Sequence, residues 1–136
     1  MLILTICLIF LSCEKNNRTL WECGNSQFLD STVISNKILG SWRWTKQLCG
    51  DGAGSILIAN KNIKIIFDAN TTFSVLENSS ILTQGNWKLK IVDSNIWGLD
   101  LNSTSEYLYG RILFCNNNVM FNNSYIDGCD NVFVKE

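Results

Sequence analysis

From residue 41 to residue 135 the apolar side chains recur at every second position, in short runs broken by asparagine, aspartate, serine and glycine. A period of two places successive side chains on opposite faces of an extended strand, whereas a helix would repeat every three to four residues. The runs predict eight strands: about Ser41 to Leu48, Asn62 to Asp68, Thr72 to Leu76, Thr83 to Val92, Trp97 to Leu101, Glu106 to Cys115, Val119 to Asn123 and Asn131 to Lys135. One face of the first strand carries Trp42, Trp44 and Lys46; of the second, Ile63, Ile65 and Phe67; of the third, Phe73 and Val75. The fourth alternates most cleanly, with Trp87, Leu89 and Ile91 opposite Lys88 and Lys90, and the fifth sets Trp97, Leu99 and Leu101 against Gly98 and Asp100. In the sixth, the faces Tyr107-Tyr109-Arg111-Leu113 and Leu108-Gly110-Ile112-Phe114 are both apolar enough to be buried, so the pattern does not choose between them.

The segments between and before the strands read as connectors. Ser35 or Asn36 caps a single helical turn over Lys37-Ile38-Leu39, and Gly40 supplies the permissive backbone that ends it. Thr19 to Ser35 has mixed polarity and reads as an ordered arm. The small residues from Cys49 to Ser55 predict a mobile loop, and Ile56-Leu57-Ile58 let that loop fold back over something apolar. Asparagine stands in nearly every predicted turn, so the sequons at Asn17, Asn70, Asn78, Asn102 and Asn122 are read as turns. Eight short strands with no helix of ten residues predict an all-β fold, an eight-stranded antiparallel up-and-down barrel. Closure removes both sheet edges and leaves an interior wide enough for packed side chains or one small ligand.

Composition narrows the function classes. With 46% hydrophobic and 17% charged residues, 136 residues suit one domain with a core of its own. The 11 basic and 12 acidic residues are scattered, which leaves no electrostatic footprint for nucleic acid. Histidine is absent, which removes Ser-His and Cys-His nucleophilic catalysis and the commonest metal ligand. The aspartates show no spacing that nominates a catalytic carboxylate pair, and Asp127 to Asp130 is too short for a calcium loop. No enzyme, cofactor or metal is expected.

The first residues read as an address. Leu2 to Leu11 is an apolar run too short to cross a bilayer as a helix, which takes about 20 residues. It ends in Phe10-Leu11-Ser12-Cys13, which resembles the lipobox of bacterial lipoproteins, and the polar stretch Glu14-Lys15-Asn16-Asn17-Arg18 follows. The resemblance implies a signal peptide over 1–12, acylation of Cys13, a tether and arm over 13–36, and a barrel domain over 37–136. It places the chain in a bacterial cell envelope, held to a membrane, most simply the outer one, by its lipid. Cys23, Cys49, Cys115 and Cys129 then remain in an oxidising compartment, where two disulfides have three possible connectivities.

Gly40-Ser41-Trp42, after a helical turn and at the start of the first strand, is similar to the G-x-W motif of lipocalins, and residues 37–136 resemble the small lipocalin-like domains of bacterial lipoproteins. A late Gly85-Asn86-Trp87 and a closing basic residue, Lys135, belong to the same likeness. It implies that Trp42 packs at the closed end of the barrel with Lys135 across its face. In an up-and-down barrel the last strand returns antiparallel to the first, bringing Cys129 to Cys49 and leaving Cys23 for Cys115.

Two functions follow as expectations. The first is a membrane-anchored protein that binds a small hydrophobic or amphipathic molecule in a pocket lined by Trp44, Ile63, Ile65, Phe73, Val75, Trp87, Leu89 and Leu99, with Tyr107, Tyr109 and Arg111 as orienting groups. The second is an envelope module with a filled barrel and no small ligand that works through its outer surface and loops, with the loop Gly50 to Asn60 as the candidate surface.

Overall fold

A computed structural model of the chain describes residues 29–50 and 55–136. The expectations for the signal peptide, Cys13, Cys23 and the glycine-rich stretch 51–54 lie outside the described residues.

Helix formation begins at Asp30, whose carboxylate accepts a hydrogen bond from the Val33 N–H at 2.9 Å and caps α1, Ser31–Ile38. The helix therefore starts earlier than a turn capped by Ser35 or Asn36 would. Ile34 and Ile38, one turn apart, are its buried residues and join the barrel core. Gly40, with φ of 107°, opens β1 in a conformation that a side chain would strain.

Nine strands follow: β1 Gly40–Cys49, β2 Ile56–Ile58, β3 Ile63–Phe67, β4 Thr72–Glu77, β5 Ser80–Asp93, β6 Ile96–Leu101, β7 Arg111–Cys115, β8 Asn118–Asn122 and β9 Cys129–Lys135. Every pairing is antiparallel, from β1 through β3 to β9 in chain order, and β9 returns to pair with β1. The result is a closed eight-stranded up-and-down barrel, with β2 as an added strand on the far half of β1. The hairpin tips Asn78-Ser79 and Ser94-Asn95 hold both residues at positive φ, the backbone of the two-residue turn that matches strand twist.

Three features depart from the alternation. A bulge between Trp44 and Lys46 breaks the period, so Trp42 and Trp44 face inward while Lys46 is paired with Val132 on the outside. Thr45 fills the irregularity, its hydroxyl donating to the Val132 carbonyl at 3.0 Å. The sixth predicted strand is half as long as its pattern, because the Ser105 hydroxyl accepts the Tyr107 N–H and turns the chain, and Gly110 sits at φ of 93° against the Asn122 backbone. Finally, Ile56-Leu57-Ile58 is a strand and not a folded-back loop, with all three side chains exposed.

Register sorts the wall into rows. Trp44, Phe133, Val119 and Phe114 lie side by side facing the interior, while Lys46, Val132, Met120 and Leu113 form the adjoining outward row. Three of that outward row, Leu113, Met120 and Val132, are nevertheless buried. Cys49 and Cys129 are joined at the end of β1 opposite α1, with Cα atoms 4.4 Å apart, as the barrel layout predicts. Cys115 is also disulfide-bonded; its expected partner, Cys23, lies outside the described residues.

Candidate functional site

The interior is the first place to look, because β1, β3, β4, β5 and β6 all aim large side chains into it. Trp44, Ile63, Ile65, Phe73, Val75, Trp87 and Leu99 are buried in one cluster, with Leu89 packed against it. The rings engage one another directly: Phe67 meets Trp87 edge-on at 5.8 Å between centroids, Phe121 meets Phe133 at 5.9 Å, and Phe67 lies 6.4 Å from Phe73 and 6.5 Å from Phe121. These separations are those of aromatic pairs in contact, so this part of the interior is occupied by the protein's own rings.

Trp42 caps the cluster at the α1 end. Its indole N–H donates to the Ile38 carbonyl at 2.7 Å, and its ring packs 6.5 Å from Phe114. Lys135 holds its ammonium 5.0 Å from the Trp42 ring centre and donates to the Lys37 carbonyl at 3.2 Å, so lysine makes the closing contact across the indole face. Trp97 ties the same end down by donating to the Leu29 carbonyl.

The polar groups proposed to orient a ligand are not arranged for it. Tyr107 does enter the interior, from the turn before β7 and not from a strand, and packs edge-on against Trp44 at 5.6 Å. Burial, reinforced by the neighbouring Glu106 carboxylate, pushes its hydroxyl up to about 12. Tyr109 is exposed, and Arg111 is on the outer face, paired with Asp93 and stacked over Tyr125 at 4.0 Å. Within β7 the inward residues are Ile112 and Phe114. Asp93 is held below the usual carboxylate range by the Ser94 hydroxyl and then by Arg111. The Trp44 indole N–H is the one buried interior donor with no acceptor among the described residues.

Two outer features were not legible as sites. β6 and β7 share a single residue pair, Gly98 with Arg111, and the turn 102–110 crosses beside this seam. A half-open groove of about 220 Å³ lies there, reaching from Tyr109 and Leu101 to Leu99 and Leu108 of the interior cluster, and the charged residues that line it, Lys90 and Asp100, pair with each other at 3.8 Å. At the rim opposite α1, a buried carboxylate, Asp130, accepts from the Asn123 and Ser124 N–H groups at 2.7 and 2.8 Å and from Asn122 at 3.0 Å. That carboxylate pins the turn Ser124–Ile126 onto the wall and is fully engaged in doing so.

Among the described residues no group of three or more Cys, Asp or Glu is placed to hold a metal ion. No protein-family model, curated protein or solved structure matches the chain.

Proposed function

We propose that this chain is a lipid-anchored module of the bacterial cell envelope, lipocalin-like in form, that works through its outer surface and uses the barrel interior as its hydrophobic core. The observation that carries this reading is the contact between interior rings: the residues that would line a ligand cavity in the other reading are occupied with one another. The Phe10-Leu11-Ser12-Cys13 sequence supports the anchor, and the exposed aliphatic residues at the rim opposite α1 support an outward-facing role.

Native mass spectrometry of the full-length protein, extracted from a bacterial host in detergent, tests both parts. The expected spectrum is the polypeptide from Cys13 onward plus acyl groups on Cys13 and nothing further. A stoichiometric extra mass that leaves on denaturation would overturn the filled-core reading, and an unacylated Cys13 would overturn the anchor.

A further inference from the structure

β2 is the end strand of the sheet, and its outer edge has no partner among the described residues. Natural proteins blunt such an edge with charge, proline or a cover. Here Ser55 to Asn60 contains no charged residue, the chain contains no proline, and Ile56, Leu57 and Ile58 are 63%, 44% and 67% exposed.

The hydrogen bonds to β1 reveal which backbone groups the edge offers. The Cys49 N–H donates to the Ser55 carbonyl, and the Ala59 N–H to the Thr45 carbonyl, so Ser55, Leu57 and Ala59 turn their polar groups toward β1. By alternation Ile56 and Ile58 turn theirs outward. The sequence around them, Ser55-Ile56-Leu57-Ile58-Ala59, is symmetric about Leu57: small, Ile, Leu, Ile, small.

We infer that β2 pairs with β2 of a second copy of this chain, antiparallel across a two-fold axis at Leu57. That register sets Ile56 opposite Ile58 of the second copy and Ile58 opposite its Ile56. Both are hydrogen-bonded pairs, so the N–H and C=O of Ile56 and Ile58 are satisfied on both chains. Leu57 meets its own copy as a non-hydrogen-bonded pair, the closer kind, with Cα atoms about 4.5 Å apart. A symmetric, self-complementary patch is what an isologous dimer requires. The Cys49–Cys129 bond ties the end of β1, beside which β2 pairs, to β9. The interface is small and suits weak association between chains gathered on one surface. The inference deepens the outer-surface reading by naming the partner, and it rests on it.

Cysteine substitution in the full-length chain, expressed in a bacterial host and oxidised mildly in its own membranes, tests the register. Leu57→Cys lies on the axis and is expected to give a disulfide-linked dimer at least tenfold more abundant than Ile58→Cys. The two copies of residue 58 are offset along the strands by about two residues' rise, roughly 7 Å, which puts them beyond disulfide reach. Adding Ile56→Lys to Leu57→Cys places two lysines beside the pairing edge and is expected to lower the cross-linked fraction at least tenfold. Melting temperatures within a few degrees of wild type establish that the variants fold. Equal cross-linking at 57 and 58, no cross-linking at either, or capture of a different protein by the Leu57→Cys variant each overturns the assignment. Retained ligand mass, which decides the filled-core reading, is read separately from these cross-links.

Discussion

The two ends of the barrel use the same residue types to opposite effect. At the α1 end the apolar groups that close the barrel are covered: Ile34, Ile38 and Trp42 are buried, and Lys135 lies across the indole. At the other end Ile56, Leu57 and Ile58 stand in solvent on a strand that, among the described residues, is paired on one side. An indole with its N–H bonded and both faces packed is a structural group. An aliphatic triplet whose outer backbone edge has no partner among the described residues is the surface we propose to pair. The difference lies in what surrounds each residue, and hydrophobicity alone does not distinguish them.

Substitutions sharpen that contrast. Trp42→Ala is expected to cost about 3–5 kcal/mol, as for other buried aromatics, read from the denaturant midpoint; a variant that unfolds with wild type would remove Trp42 from the closing role. Replacing Cys49 and Cys129 together by serine opens a loop of 80 residues and is expected to cost about 2–4 kcal/mol under non-reducing conditions. Asp30→Ala removes the cap of α1 and is expected to cost about 1 kcal/mol, with Asp30→Asn recovering most of it.

Tyr107 supplies a pH test. An unfolded tyrosine ionises near pH 10 and the folded one near 12, so between those values the unfolded chain releases its proton first. The contribution of Tyr107 is therefore complete below about pH 10 and is lost as pH rises towards 12. Ultraviolet titration should show a tyrosine transition near pH 12 that Tyr107→Phe removes, and the same substitution should flatten the alkaline decline in stability; a Tyr107 that ionises near pH 10 would place it in solvent. The smallest effect belongs to the exposed rim: Leu57→Ser is expected to shift the stability of one chain by no more than about 0.5 kcal/mol.

Most of the barrel was legible because strands such as β1, β3, β4 and β5 bury one face more than the other, and period two then reports the inside directly. Where that asymmetry fails, so does the reading. The run from Glu106 to Cys115 looks uniform because the outward Leu113 is buried as well as the inward Ile112 and Phe114, which hides the turn at Ser105 and Tyr107. The bulge that turns Lys46 outward is one extra residue, and nothing in Trp44-Thr45-Lys46 marks it before the partner strand is known. α1 carries Thr32, Val33 and Ile34, β-branched residues that weaken helix propensity, and forms because Asp30 caps it and the barrel covers Ile34 and Ile38.

The candidate site divides in the same way. Which residues of β3, β4 and β5 face inward follows from alternation. Whether they enclose a space is a question of volume, set by Phe67, Phe121 and Phe133 arriving from three different strands. Tyr109 enters the expected site through a strand that does not extend so far, and Arg111 through the face of β7 that points outward; Ile56 to Ile58 read as part of a loop because three residues are too few to show a period.

The central claim, that the interior is core and not cavity, is tested most directly by the stability of Phe73→Ala. Phe73 lies in the interior cluster, fully buried and in ring contact with Phe67. A filled barrel predicts a loss of about 3–5 kcal/mol by chemical denaturation of the ligand-free protein. A loss below about 1 kcal/mol would mean that the ring borders open space, and the barrel would be a container after all.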